Sequence, residues 1–219
     1  MMENLGQDAA RIVIEPGLRA EHRASAARGY WQAFSRKLRY PLGPQEKAVA
    51  FFEQVIAPDH AISAISSNGR FLGVAGFKSP HGSFIGGTFS DLAEVYGTFG
   101  AAWRAMLVSS LERECEPGTL LMDGIFVDPE ARGLGVGTAL LQAIVDHAET
   151  SGLERVRLDV IDTNTRARAL YEREGFVAQN VQSLGIFAPV FGFSSATEMT
   201  RTLSDHPGTQ DAVNAAFDA

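Results

Sequence analysis

The sequence is poor in cysteine, has no excess of basic residues and contains no long apolar run. Its one cysteine, Cys115, excludes an intrachain disulfide framework and a zinc site built on paired cysteines. No apolar run approaches the roughly 18 residues that indicate a transmembrane helix. The first residues also lack the charged-then-apolar pattern of a secretory signal. We therefore expect a cytoplasmic protein with no membrane partner.

Acidic residues outnumber basic ones, with 26 Asp and Glu against 19 Lys and Arg, which gives a formal net charge of −7. Because non-specific binding to nucleic acid requires a basic surface, we expect no nucleic-acid partner. The five histidines do not show the HxxxH or HExxH spacing of zinc ligands, so the sequence predicts no metal site. The remaining composition is that of an ordinary globular protein.

A chain of 219 residues fits one domain, which we assign to residues 1–205, with 206–219 as a tail. The first dozen residues show little pattern. Apolar spacing predicts two helices, over 23–38 and 45–57. The first helix should end at the prolines that follow it, because proline cannot donate the helical hydrogen bond.

The rest of the chain shows the signals of a mixed sheet. Asn68-Gly69 lies between two short apolar runs and predicts a β-hairpin. A strand, a helix and a second strand follow later, and such a unit has parallel strands. We therefore predict a mixed α/β (α+β) domain, with a central twisted sheet flanked by helices. The predicted later elements are a helix over 91–113, a strand over 120–127, a helix over 134–150, a strand over 154–161, a helix over 165–174, and strands from 176 and over 195–203.

The most informative stretch is a glycine-rich turn between the strand over 120–127 and the next helix. It contains Arg132 and glycines at 133, 135 and 137. Glycines let backbone N–H groups converge on a ligand, and the positive end of a helix dipole favours an anion there. Arg132 adds a full charge, so the turn suits a pyrophosphate. The alternative is a tight turn without a ligand, in which each glycine would cost up to about 1 kcal/mol for no gain.

Two common phosphate-binding motifs do not match this turn. The P-loop needs a Gly-Lys pair, which this chain lacks, and the dinucleotide fingerprint fails because Thr138 occupies the position of its third glycine. The remaining pattern, Arg132-x-x-Gly135-x-Gly137, resembles the acetyl-CoA-binding motif of the GNAT superfamily of N-acetyltransferases.

A second stretch strengthens the resemblance. It reads Asn164-x-x-Ala167-x-x-Leu170-Tyr171-x-x-x-Gly175-Phe176 and is similar to the second signature of that family. The two signatures lie in the expected order over residues 119–178, which we take as the cofactor-binding half of the domain.

The resemblance implies acetyl-CoA as the co-substrate, bound by three segments. The strand before the turn would carry a bulge and separate from its parallel neighbour. The pantetheine arm would then pair with the backbone of Ile125, Phe126 and Val127, and an N–H near 126 or 127 would hold the thioester oxygen. Asn164 would reach the cofactor arm. The pyrophosphate would lie on the turn, at Arg132, Gly133, Leu134, Gly135, Val136, Gly137 and Thr138.

The implied chemistry is direct transfer of an acetyl group from the thioester to a primary amine. Tyr171 matches the tyrosine that faces the sulfur in the family, so it would also contact the cofactor, and we expect it to hydrogen bond to the leaving thiolate. Asp123 is the candidate general base, because many family members carry an acidic residue on this strand. Regular alternation puts Asp123 on the same face as Ile125 and Val127, unless a bulge intervenes.

One segment departs from the family pattern: an insertion over 79–118, between the hairpin and the strand before the turn. Its predicted helix has an apolar stripe, which we expect to cover a sheet face or a dimer partner rather than to form a lid over the acceptor. The insertion also holds two weaker candidates for the base, Asp91 and Glu94. Their alternative role is to stabilise the start of the helix.

The resemblance leaves the acceptor open between a small-molecule amine and a peptide or protein amine. A homodimer is also open. The main alternative to an enzyme is a non-catalytic acyl-CoA-binding or sensing module that retains the turn. A nucleotide-binding protein is disfavoured by the two motifs that fail.

Overall fold

The protein is built on one mixed β-sheet with helices packed on both faces. The computed structural model describes residues 11–109, 114–185, 188 and 192–203, and the predicted tail lies outside them. Within these residues the strands are β1 (Ile12–Pro16), β2 (Ala61–Ser66), β3 (Phe71–Ser79), β4 (Gly82–Ser83), β5 (Thr119–Val127), β6 (Arg155–Ile161), β7 (Val177–Ser183) and β8 (Ser195–Thr202). The α-helices are α1 (Arg23–Leu42), α2 (Gln45–Val55), α3 (Phe89–Tyr96), α4 (Thr98–Ser109), α5 (Val136–Thr150) and α6 (Thr165–Arg173).

The strand order is β1-β2-β3-β5-β6-β8-β7, with β4 paired to β3. β5 and β6 are parallel, whereas the other paired strands are antiparallel. The predicted mixed sheet is therefore confirmed. The predicted hairpin is also confirmed, since β2 and β3 flank Asn68-Gly69 and Gly69 adopts the positive φ of +84° that a tight turn favours.

Two hydrophobic cores lie on opposite faces of the sheet. The side of the sheet against which α5 packs, which we call the α5 face, has a mostly aliphatic core. The opposite side, which we call the α1 face, has a core rich in aromatic rings and is covered by α1, α2 and α3. Prominent members of the first are Leu140, Leu141, Ile144, Val156 and Leu158, and of the second Trp31, Phe52, Phe84, Tyr96 and Phe126.

Two elements at the start of the chain differ from the sequence prediction. The pattern does not indicate β1, a strand of five residues that lies at the edge of the sheet as described and pairs there with β2. The prediction that α1 ends before Pro41 is wrong by a few residues, because α1 continues to Leu42. Pro41 is tolerated there because it lies in the last turn, where few further helical hydrogen bonds follow.

The single helix predicted for the insertion is instead two helices. Gly97 has a φ of +74° and ends α3, and α4 starts at the next residue. The break divides the apolar stripe, because a change of helix axis redirects every later side chain. Tyr96 is buried on the α1 face, whereas Phe99 is 95% exposed and Met106 is 68% exposed. The predicted packing on a sheet face therefore holds for α3, whereas the outer side of α4 is exposed in the single chain and its expected cover by a dimer partner stays a prediction. Positions 110–113 of the predicted helix lie outside the described residues.

Candidate functional site

The glycine-rich turn forms an open pocket of backbone N–H groups at the start of α5. Gly133 and Gly135 have φ values of +85° and +87°, a backbone conformation that residues with a side chain rarely adopt. A Cβ at either position would meet no atom within 4 Å, so the space around the turn is free. The first helical bond runs from Ala139 N to Gly135 O at 3.0 Å, so the N–H groups at 136–138 have no helical carbonyl to bond. This arrangement suits an anion.

The side chains of the turn differ in what they can offer. Arg132 is exposed, and its Nε donates to the carbonyl of Val127 at 3.4 Å, which holds the guanidinium near the end of β5. The side chain of Leu134 is exposed. Val136 is only 1% exposed and packs in the core of the α5 face. Both residues can therefore contact an anion through their backbone N–H groups alone, while Thr138 is half-buried and keeps a hydroxyl near the turn.

A gap opens between β5 and β6 just before this turn. The two strands pair only from Thr119 with Arg155 to Leu121 with Arg157. β6 remains paired with β8 as far as Ile161, and β5 remains paired with β3 as far as Val127. The edge of β5 that carries residues 125–127 therefore faces the gap, where an extended ligand could pair with it.

β5 contains a bulge at Asp123. Gly124 lies opposite Gly76, while Met122 lies opposite Phe77, so Asp123 is the extra residue in β5. The sequence resemblance implied a bulge in this strand, and the pairing register locates it.

The bulge reverses which residues of β5 face each side. Ile125 and Val127 pack against the core of the α5 face. A Cβ on Gly124 would instead meet the ring of Phe34, which belongs to α1. Regular alternation would put Asp123 on the same face as Ile125 and Val127, but the bulge, which was the stated exception, places it on the other face. Asp123 lies on the α1 face near Tyr30, where burial, with the charge of Asp123 as a second cause, raises the pKa of the Tyr30 hydroxyl.

Tyr171 lies on the opposite side of the sheet from Asp123. It belongs to α6, is 8% exposed and packs in the core of the α5 face, with its ring centroid 6.1 Å from that of Phe176. Burial raises the pKa of Tyr171 to about 12, so the hydroxyl is protonated at neutral pH and can donate a hydrogen bond. The two predicted catalytic side chains thus lie on different faces of the sheet.

Asn164 and the acidic residues of the insertion have structural roles. Asn164 follows β6, and its Oδ1 accepts a hydrogen bond from Ala167 N at 3.2 Å, which caps α6. Its amide nitrogen is the group left for a ligand. Asp91 forms a capping box with Thr88 at the start of α3, with Thr88 N donating to its carboxylate at 2.7 Å. Glu94 accepts from Gln54 Nε2 at 2.7 Å. The contacts of Asp91 and Glu94 therefore stabilise the inserted helix α3.

Sequence reasoning did not single out Asp159, which borders the gap, or Glu198, which lies next to Asp159 on β8. Val156 and Leu158 belong to the α5 face, so Asp159 faces the other way, and Glu198 is its register partner on β8. Glu198 is ion-paired with Arg157 at 2.8 Å. Since Leu121 pairs with Arg157, Asp123 and Asp159 each lie two residues beyond that pair, on the two sides of the gap. Alternation of polar residues marks the face of Asp159, but only strand pairing brings Glu198 beside it.

Two searches bear on other kinds of site. Among residues 11–109, 114–185, 188 and 192–203, no three His, Cys, Asp or Glu side chains are grouped as a metal site requires. None of the helices that the structure describes is both long and apolar enough to cross a bilayer.

Comparison with known proteins places this arrangement among acetyltransferases. The model of the acetyltransferase (GNAT) family matches residues 27–176, which is more than half of the 219 residues. The curated mycothiol acetyltransferase of Beutenbergia cavernae is 50% identical over 50 residues, 23% of this chain and 17% of that protein. The spermine/spermidine N(1)-acetyltransferase of Bacillus subtilis is 31% identical over 71 residues, 32% of this chain and 47% of that protein. The chain thus matches less than half the length of either curated relative.

Solved structures show the same fold at low sequence identity. The crystal structure of an N-acetyltransferase from Staphylococcus aureus Mu50 superposes with a TM-score of 0.60 at 14% identity, over 86% of this chain and 100% of that one.

Proposed function

The chain belongs to the GNAT acetyltransferase family, and from that premise we propose that it transfers an acetyl group from acetyl-CoA to a primary amine by direct attack on the thioester. The observation that carries the proposal is the gap between β5 and β6, which leads to the open N–H groups of the turn at the start of α5. An extended arm fits the gap, and a pyrophosphate fits the turn.

The residues present are suited to acetyl-CoA. The free space around Gly133 and Gly135, the N–H groups at 136–138 and the Arg132 guanidinium would hold the pyrophosphate. The backbone of residues 125–127 would pair with the pantetheine arm, and the Asn164 amide would donate to it. Bound acetyl-CoA supplies a thioester, whose carbonyl carbon an amine can attack.

Two side chains of this chain would handle the protons. Asp123 would accept a proton from the amine, from the α1 face of the gap. Tyr171 would hydrogen bond to the departing thiolate from the α5 face. Because the pKa of Tyr171 is raised to about 12, full transfer of its proton to a thiolate of ordinary basicity is uphill by about 5 kcal/mol. Its role is therefore hydrogen bonding and not proton donation.

Charge on the α1 face favours a cationic acceptor. Asp123 and Asp159 share this face and lie across the gap from each other, whereas Glu198 on the same face is ion-paired with Arg157. One curated relative is named for spermine and spermidine, which are amines with several positive charges. We therefore propose an amine that is positively charged before reaction, either a small polyamine-like molecule or a basic side chain of a polypeptide.

The proposal is tested in two steps on the full chain. Thermal melting with acetyl-CoA, CoA, NAD and ATP comes first, because ligand at one hundred times its dissociation constant should raise the melting temperature by about 5–10 °C. Release of free thiol from acetyl-CoA is then measured with spermidine, lysine, a lysine-containing peptide and a hydroxylated amine that carries only one positive charge. A shift with acetyl-CoA and CoA together with thiol release supports acetyl transfer. A shift without thiol release from any amine supports the non-catalytic alternative, and no shift with either CoA species overturns both.

A further inference from the structure

The outer side of α4 presents a stripe of large apolar side chains to solvent. Phe99 is 95% exposed, Met106 is 68% exposed and Trp103 is 43% exposed. They occupy positions i, i+4 and i+7, which lie on one side of a helix. Ala101 points the other way and is buried in the core of the α1 face, so the opposite side of α4 packs on the rest of the protein. We call Phe99, Trp103 and Met106 the α4 stripe.

The α4 stripe carries no charged side chain. Arg104 is the one charged residue of α4, and its side chain is turned toward α3 and the end of α1. Its Nη1 donates to the carbonyl of Gly100 at 3.0 Å, and its Nη2 donates to that of Gly43 at 3.2 Å. The guanidinium also lies 4.2 Å from the ring centroids of Tyr96 and Trp103. Lipid head groups and nucleic acids are anionic and bind through several basic side chains, so an uncharged protein surface fits the stripe better.

The area of the α4 stripe is enough for the apolar centre of a stable protein interface. A fully exposed Phe, Met or Trp presents about 200–250 Å², so the exposed fractions of the three side chains add to roughly 400–500 Å². A standard interface buries about 800 Å² on each partner, of which about 60% is apolar. The stripe alone would therefore supply most of the apolar area that a stable dimer needs from each copy.

A second copy of the chain offers a surface of the same length and polarity. A two-fold axis perpendicular to α4 would lay the two helices antiparallel. Phe99 of each copy would then meet Met106 of the other, and the two Trp103 side chains would meet near the axis. Antiparallel helices also bring opposite ends of their dipoles together. The symmetric pairing therefore gives every side chain of the stripe an apolar neighbour.

We propose that the α4 stripe is the interface of a homodimer in which two copies pack α4 against α4 in antiparallel orientation. The contact removes three large apolar side chains of each copy from water, which is its main driving force. It involves neither the gap between β5 and β6 nor the turn at the start of α5. The dimer therefore does not rest on the proposed function, and either can fail without the other.

Sedimentation equilibrium of the full chain tests the proposal. We expect a dimer with a dissociation constant of about 10 μM or tighter. Met106→Glu should raise that constant at least about 100-fold, because the dimer would bury an unpaired charge. Val181→Glu is the matched control, since Val181 on β7 is 67% exposed and lies outside the stripe. This control should dimerise as the wild type does.

Two outcomes of this experiment contradict the proposal. A wild-type chain that stays monomeric up to about 100 μM would show that no second copy covers the stripe. Loss of the dimer in Val181→Glu and not in Met106→Glu would place the contact on β7 instead. Circular dichroism of each variant confirms that a change of mass is not a loss of fold.

Mixing two variants tests the antiparallel pairing. Phe99→Lys and Met106→Glu should each be monomeric alone at a concentration at which the wild type is dimeric. Their equimolar mixture should dimerise, because the two introduced charges are opposite and meet across the interface, while one Phe99–Met106 contact remains. Phe99→Glu mixed with Met106→Glu is the matched control and should stay monomeric, because like charges then meet. No dimer in the first mixture, or a dimer in both, overturns the proposal.

Discussion

The two faces of the sheet differ where β5 and β6 separate. The α5 face is aliphatic and carries the turn of backbone N–H groups together with the buried Tyr171. The α1 face is aromatic and carries the carboxylates of Asp123 and Asp159, beside the ion pair of Glu198 with Arg157. The first arrangement suits an anionic cofactor held mainly by backbone, and the second suits a cationic acceptor held by side chains. We infer that substitutions on the two faces affect different steps.

The largest effect should come from the turn on the α5 face. Gly135→Val forces a branched side chain into a φ of +87° and displaces the N–H groups that follow. We expect the dissociation constant of acetyl-CoA, measured by calorimetry, to rise about 100-fold, because several charge-assisted hydrogen bonds lose their geometry together.

Gly152→Val separates loss of binding from backbone strain. Gly152 lies after the other end of α5, with a φ of +68° and equally open space around its Cβ direction. Both variants should lose about 1–2 kcal/mol of unfolding free energy, which chemical denaturation measures. Equal affinity for acetyl-CoA in the two variants would remove the turn from the cofactor site.

The second-largest effect is expected for a substitution on the α1 face. Asp123→Asn keeps the size of the side chain and removes its ability to accept a proton. The turnover number should fall by about 100-fold, whereas the dissociation constant of acetyl-CoA should stay near that of the wild type. Steady-state kinetics and calorimetry measure the two quantities.

Asp91→Asn is the control for Asp123, because Asp91 is one of the two weaker candidate bases in the insertion. It lies in the capping box of α3, so its loss should cost about 1 kcal/mol of stability without changing turnover. Full turnover in Asp123→Asn, or a comparable loss in Asp91→Asn, would transfer the role of base to another group.

The smallest effect is expected for a substitution of Tyr171 on the α5 face. Tyr171→Phe keeps the buried ring and removes one hydrogen bond to the leaving group, so turnover should fall about tenfold. Because burial raises the pKa of Tyr171 to about 12, the hydroxyl stays protonated as the pH rises through 10. The pH–rate profile of the wild type should therefore show no decline from this residue below about pH 11.

Tyr40→Phe is the matched control for this substitution, since Tyr40 is exposed on α1, and its kinetics should be unchanged. A profile that falls near pH 9 in the wild type and not in Tyr171→Phe would mean that Tyr171 ionises in the working range, against the role assigned to it.

The α5 face was largely predictable from sequence because its signals are local. Glycines and Arg132 occupy adjacent positions, and the apolar stripe of α5 repeats within one helix. The α1 face was predicted less well. Its aromatic residues come from α1, α2, the insertion and β5, and no short stretch of sequence contains them together. The insertion was misread as one helix because Gly97 disturbs a periodic pattern too little to mark a break.

Asp123 shows most clearly where sequence reasoning stops. Its residue type and its position before the turn are visible in the chain, and they made it the candidate base. Its face is decided by one extra residue in the pairing with β3, which alternation along β5 cannot reveal. A bulge is a property of two strands, so it is set only when they pair.

By itself, the sequence determined the mixed α/β class, the hairpin, the glycine-rich turn at the start of α5 and the family, because each depends on residues close together in the chain. Tertiary structure alone decided the gap between β5 and β6, the face of Asp123, and the placement of Asp159 across the gap from it with Glu198 next to Asp159. These features depend on strand register, which is fixed by packing between distant segments.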